Sequence, residues 1–218
     1  MKYWIKRKTI FSLVAACGLA FAAPVMAQTA PETTNVDVAK LMQPGKLKDM
    51  SEGRADAPVT IVEYASLTCG HCASFYSATL PEIRKKYIDT GKVRLVFREI
   101  VFAQDKRSLA AVTLARCLPA GRYFPMVGTL FEKQQSWAFA ANGASEALLG
   151  IASLAGLDKD GVKACLGNQQ LVNDILANTK QATDEFGIRA TPTFFINGTK
   201  YEGALTAGEM SAIIDRLL

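Results

Sequence analysis

Val59-Thr60-Ile61-Val62-Glu63-Tyr64-Ala65-Ser66-Leu67-Thr68-Cys69-Gly70-His71-Cys72 is the stretch that decides the fold. Its first seven residues are apolar, aromatic or β-branched apart from Glu63, the composition of a buried strand. An amphipathic helix follows the cysteines. Two thiols at positions i and i+3 of a helix start lie one turn apart and can close a short disulfide. The positive end of the helix favours the thiolate there. A bare C-x-x-C also serves zinc, but zinc asks for four ligands, and this chain has one histidine, His71, and no second such pair. Strand, paired thiols and helix in that order point to thiol redox chemistry.

Working outward, the start of the chain reads as an export signal. Lys2, Lys6, Arg7 and Lys8 form a basic head, an apolar run extends from Ile10 to Ala23, and Val25-Met26-Ala27 supplies the small residues a signal peptidase reads. Cleavage after Ala27 is the expectation, with residues 1–27 removed and a mature chain beginning at Gln28. Val14-Ala15-Ala16-Cys17-Gly18 offers a rival lipoprotein box, but the apolar run continues well past Cys17 instead of closing there. The run is short for a membrane span. Removal of residues 1–27 leaves 191 of the 218 residues, and takes away four of the 25 basic residues and none of the 20 acidic ones. The net charge then falls from +5 to about +1, which argues against nucleic acid or another polyanion as partner. Four cysteines remain in an exported chain, so the compartment is oxidising.

Residues 28–57 are rich in Pro, Thr, Gly and charge, with one short apolar cluster around Val36, Val38, Leu41 and Met42. They read as a flexible lead-in with at most a short helix, or alternatively as an oligomerisation arm. Past the cysteines, Pro81 breaks or restarts the helix and Gly91 ends it. Val93–Phe97 alternates as a second core strand. Residues from about 105 to 187 are helical in period, over Ser108–Leu118, Tyr123–Phe139, Ser145–Ala155 and Leu171–Phe186, punctuated by Pro119, Gly121, Asn142-Gly143 and Gly156. Strand signal returns in Thr193–Ile196 and Lys200–Glu202 around Asn197-Gly198, a strong hairpin turn. Thr206 with Glu209 three residues on makes a capping box for a closing helix to Leu218.

This order of elements resembles exported bacterial thiol–disulfide oxidoreductases of the DsbA type, over residues 58–218. The residues that carry the resemblance are Glu63, Cys69-Gly70-His71-Cys72, Thr191-Pro192-Thr193-Phe194 and Gly203. It implies an α/β thioredoxin fold with a helical insertion between the βαβ half and the hairpin half. Gly70 and Thr191 stand where the best-known members have proline and often valine, and Cys-Gly-His-Cys is also the motif of eukaryotic protein disulfide isomerases.

The resemblance assigns roles. Cys69 is the exposed nucleophile, Cys72 the buried partner that resolves mixed disulfides, and His71 a source of hydrogen bond or positive charge for the thiolate. Thr191-Pro192 matches the cis-proline loop opposite the active site, which pairs with an extended substrate. Glu63 is either a solvent-facing strand residue or a buried carboxyl that relays the proton of Cys72. With Cys69 and Cys72 paired, Cys117 and Cys165 have only each other, as a structural disulfide or as two buried free thiols. No cofactor or metal is called for, because the redox equivalents sit in the Cys69–Cys72 disulfide. The implied partners are unfolded exported polypeptides and a DsbB-type membrane reoxidase, with a monomer in the periplasm. An isomerase or reductase, oligomeric through residues 28–57, is the enzymatic alternative; a metal-binding or chaperone-like module is the non-enzymatic one.

Overall fold

β2 (Val59–Ala65) takes the centre of the sheet, where six of its seven residues are buried. The computed structural model describes residues 34–218 together with Met1, and in residues 34–218 five strands pair in the order β1-β3-β2-β4-β5. β3 (Val93–Glu99) runs parallel to β2, with Val59 opposite Val93 and Ala65 opposite Glu99. β4 (Thr193–Ile196) lies antiparallel on the other side of β2, and β5 (Thr199–Glu202) returns antiparallel to β4. The turn between them, Asn197-Gly198, has positive φ at both residues, 45° and 88°, as a two-residue hairpin requires.

One kinked helix joins β2 to β3. α2 (Gly70–Ser74) passes into a wide turn over Phe75–Thr79, where the Leu80 N–H reaches back five residues to the Phe75 carbonyl. α3 (Leu80–Ile83) and a second wide turn over Arg84–Ile88 complete it. Pro81 has no N–H to give, so the helix widens ahead of it and continues. Phe75, Leu80, Ile83 and Tyr87 pack with Val59, Ile61, Val93 and Leu95 of the sheet and with Met210, Ile213 and Ile214. The last three belong to α10 (Ala207–Leu217), which begins at the reciprocal Thr206–Glu209 cap.

The helical block between β3 and β4 comprises α4 (Lys106–Arg116), α5 (Ala120–Glu132), α6 (Gln134–Trp137), α7 (Ala144–Leu154), α8 (Lys159–Leu166) and α9 (Gln169–Glu185). The single helix expected over Tyr123–Phe139 is two, because the chain leaves helical geometry at Lys133, with φ −98° and ψ 16°. α8 escaped the sequence reading. Tyr123, Leu130, Trp137 and their neighbours form a core that is continuous with Ala65, Leu67, Phe97 and Cys72 of the α/β half. None of the described helices is long and apolar enough to cross a membrane.

The expectation of a flexible lead-in over residues 28–57 is corrected for residues 34–57. β1 (Met50–Glu52) pairs antiparallel with β3, and α1 (Val38–Leu41) buries Leu41 against the opposite face of the sheet from the kinked helix. Ahead of α1, the Val36 N–H donates to the Gly198 carbonyl at 2.9 Å and the Lys200 N–H to the Thr34 carbonyl at 3.0 Å, which covers the β5 edge. Arg98 ties the segment down, donating to the Leu41 carbonyl and the Tyr64 hydroxyl at 2.8 Å each and to both oxygens of Asp49. Backbone pairing and guanidinium contacts from Arg84, Arg98 and Arg116 order this region, and these partners lie far away in sequence. The export signal over residues 1–27 and the cleavage after Ala27 lie outside the described stretch.

Candidate active site

β2 ends at Ala65, and the loop that follows delivers Cys69 to the first position of the kinked helix. Cys69 is the N-cap of α2, with φ −85° and ψ 120°, and its carbonyl accepts from the Ala73 N–H at 3.1 Å. Its side chain is half-buried, while Cys72, one turn on, is wholly buried; both are free thiols. A Cβ on Gly70 would meet nothing within 4 Å, so this side of the nucleophile is open. His71 is exposed beside it. An open groove, lined by Gly70, His71, Ser74, Phe131, Glu132 and Gln135, runs past this corner.

Across from Cys69 stands the loop before β4. The Thr191–Pro192 bond is cis, and the Cys69 thiol donates to the Thr191 carbonyl at 3.2 Å. The Cys69 pKa falls to about 5. A hydrogen bond from the Cys72 thiol is the largest cause, burial works against it, and the Thr191 side chain and the Cys72 and His71 N–H groups add to it. Cys72 moves the other way, pushed far up by its hydrogen bond to Cys69, by burial and by the charge of Glu63. A thiolate is therefore held at the exposed position and a thiol at the buried one.

Glu63 lies under this pair. It is fully buried on β2 between Phe97 of β3 and Phe194 of β4, which disposes of its solvent-facing reading. Neither carboxyl oxygen has a hydrogen-bond partner. Burial first, then the charges of Cys69 and Glu52, raise its pKa to about 8, so the group is a neutral acid that can exchange a proton near neutral pH.

Two supports of the active-site loop were missed from sequence. Gln134, buried at the start of α6, donates through Nε2 to the Leu67 carbonyl at 2.8 Å and the Cys69 carbonyl at 3.0 Å. Thr68 donates to Asp105 Oδ2 at 2.5 Å, and Asp105 Oδ1 caps α4 through the Ser108 N–H. A signal for Gln134 existed: it sits at helical spacing between Leu130 and Trp137, a polar residue on an apolar stripe. Cys117 and Cys165 are bonded to one another, joining the ends of α4 and α8 with Cα atoms 6.1 Å apart, outside the redox pair.

Comparison with known proteins agrees with this geometry. Residues 46–216 match the thioredoxin family. The crystal structure of Wolbachia pipientis alpha-DsbA1 superposes with a TM-score of 0.73 at 33% identity, covering 82% of this chain and 94% of that one. A Rickettsia bellii protein named for protein-disulfide oxidoreductase activity is 36% identical over 170 residues, 78% of this chain and 64% of its own. The Bacillus subtilis disulfide bond formation protein D is 26% identical over 174 residues, 76% of this chain and 75% of that protein. The chain thus spans under two thirds of the length of the rickettsial relative it matches. It belongs to the thioredoxin family and, within it, to the DsbA-type thiol–disulfide oxidoreductases.

Proposed function

We propose that this chain is an exported dithiol oxidase that hands the Cys69–Cys72 disulfide to newly secreted polypeptides in the periplasm. The observation that carries the reading is the split between the two thiols: a Cys69 thiolate favoured down to a pKa of about 5 beside a buried Cys72 thiol. Whatever stabilises that thiolate stabilises the reduced protein, and a favoured reduced form makes the disulfide a strong oxidant.

In the reaction, a client thiolate attacks the Cys69 sulfur, the Cys69–Cys72 bond breaks, and Cys72 takes the electron pair and a proton. A second client thiolate then attacks the client sulfur of the mixed disulfide and releases the Cys69 thiolate. The client loses two electrons and the protein gains them. An extended client segment pairs with the exposed backbone at Thr191-Pro192, and Gly70 leaves Cys69 approachable from outside. His71 supplies a further polar group at the mouth of the site. The reduced protein then passes its electrons to a DsbB-type membrane reoxidase. The mature protein, without residues 1–27, acts as a monomer.

Redox titration of the Cys69–Cys72 pair against glutathione, with the mass in solution, tests this. The expected potential lies above about −180 mV, towards the strong oxidants of this chemistry. A potential near about −270 mV, where thioredoxin works as a reductant, overturns the oxidase reading, as does a stable dimer or trimer that rescues scrambled disulfides.

A further inference from the structure

All four residues that lead β2 into the kinked helix, Ser66, Leu67, Thr68 and Cys69, hydrogen-bond to the helical insert. Ser66 reaches the Ser108 hydroxyl at 3.4 Å and Thr68 the Asp105 carboxylate, both at the start of α4. Leu67 and Cys69 share a single donor group, the Gln134 carboxamide on α6. The loop that presents the reactive thiol is therefore held from the insert and not from the sheet alone.

Gln134 makes the tightest of these holds. Its Nε2 group has two protons, and the two carbonyls take both. The Cys69 carbonyl is saturated in turn, with the Ala73 N–H at 3.1 Å on one lone pair and Gln134 at 3.0 Å on the other. Trp137, buried one turn on, donates through Nε1 to the Leu130 carbonyl at 2.7 Å and fixes the break at Lys133 from which α6 starts. Such a clamp fixes the peptide plane between Cys69 and Gly70, because a carbonyl and the next N–H turn together. The negative end of that peptide then faces Gln134, which leaves the His71 and Cys72 N–H groups to the Cys69 sulfur. The hydrogen bonds of Gln134 end on backbone carbonyls and on neither sulfur.

We infer that Gln134 is a positioning residue that sets the oxidising strength of the Cys69–Cys72 pair by clamping the Cys69 carbonyl from the helical insert. This deepens the oxidase reading and rests on it. Without the clamp the Cys69–Gly70 plane can turn its carbonyl towards the sulfur, and a carbonyl oxygen repels the thiolate that the N–H groups attract. The positive N–H end of the carboxamide is lost as well. Both losses disfavour the thiolate and with it the reduced protein, so the disulfide becomes a weaker oxidant. Cys72, His71 and Glu63, the titratable groups around Cys69, keep their places.

The test reads the Cys69 titration by thiolate absorbance and the potential of the pair against glutathione at neutral pH. Gln134→Met keeps the length of the side chain without a donor, and Gln134→Leu removes the donor with a different shape. Each should titrate Cys69 about one pH unit higher, a thiolate about tenfold less favoured, and lower the potential by about 30 mV, that tenfold in a two-electron couple. Ile175→Val, which thins the same core at α9, should lose stability and hold both values. The wild-type protein supplies a reading of its own. In nitrogen-edited NMR spectra the Gln134 side-chain amide protons should resist exchange and shift with the midpoint of the thiolate absorbance. Gln134 variants with the wild-type titration and potential overturn the inference, as do amide protons that exchange freely and ignore the titration. An equal fall in potential in Ile175→Val overturns it too, since the potential would then follow stability alone. A wild-type Cys69 that titrates at about 8.5, as a free thiol does, overturns instead the oxidase reading.

Discussion

Cys69 stands at the N-terminal end of the helix that begins with α2, whereas Cys117 closes α4 at its C-terminal end and Cys165 lies in the last turn of α8. Helix N-termini carry partial positive charge and C-termini partial negative charge. The first pair therefore sits where a thiolate is welcome and the second where it is not. The disulfide-bonded Cys165 sulfur has no proton to give and lies 3.1 Å from the Thr113 carbonyl oxygen in the interior, another place where a negative sulfur would be unwelcome. A sulfur that is a poor thiolate is a poor leaving group and a poor nucleophile, so the bond it makes is inert. Two cysteine pairs in one chain are thus sorted into reagent and staple by which helix end each occupies.

The sharpest way to break this contrast is to remove the reagent. Cys69→Ser should abolish thiol exchange, while Cys72→Ser should attack but fail to resolve, accumulating mixed disulfides on non-reducing gels. Trapping by Cys69→Ser instead would reverse the two roles. The staple should show its worth in stability and not in chemistry. Replacing Cys117 and Cys165 by Ala opens a loop of 48 residues and should cost about 4 kcal/mol in denaturant unfolding, with exchange rates unchanged. Mild reduction and alkylation should label Cys69 and Cys72 only; equal labelling of all four would dissolve the distinction.

Glu63 sharpens the comparison from below. Glu63→Leu removes a buried acid without hydrogen bonds and should stabilise the protein by on the order of 2 kcal/mol while slowing resolution by Cys72. Because the Glu63 pKa is raised from 4.5 to about 8, the unfolded chain releases this proton first as pH rises. The variant's advantage must then widen between those two values, and an advantage that shrinks with rising pH would contradict the placement of the charge. For Cys69 the sign is opposite. Its depressed pKa stabilises the reduced fold above about pH 8.5, where a free thiol ionises, and that stabilisation fades as pH falls to about 5. The difference in Tm between reduced and oxidised protein should narrow on acidification through this window. The smallest expected effect is at Gly70, where an added Cβ has open space: Gly70→Ala should gain about 0.5 kcal/mol and leave the thiolate titration in place.

Local chemistry was legible in the sequence wherever it was self-contained. The strand into Cys69-Gly70-His71-Cys72, the Asn197-Gly198 turn and the Thr206–Glu209 cap each state their structure within a few residues. β1 was not legible, since three residues, Met50, Ser51 and Glu52, carry no period of their own and become a strand only by pairing with Phe97, Val96 and Leu95. α8 hid because Gly161 and a scatter of Lys and Asp blur its apolar stripe. At the site, the thiols announced themselves, but Gln134 and Asp105 matter through neighbours that only the tertiary fold supplies. Glu63 stood between: its strand placed it, and whether it faced water depended on the helix packed above.

The central strand β2 receives one of its two neighbours very late. The Thr60 N–H donates to the side chain of Asn197, 137 positions further along, and Ile61 pairs with Ile196. Residues 34–36 wait longer still for Gly198 and Lys200. For a chain that emerges from its amino end, the kinked helix with its two thiols is complete while more than a hundred residues are still to come. During that interval Cys69 has no Thr191 carbonyl to lean on, and the edges of β2 and of the leading segment lie bare. Assembly thus ends, not begins, at the reactive corner, and the newborn protein is for a time itself an unfolded thiol-bearing chain.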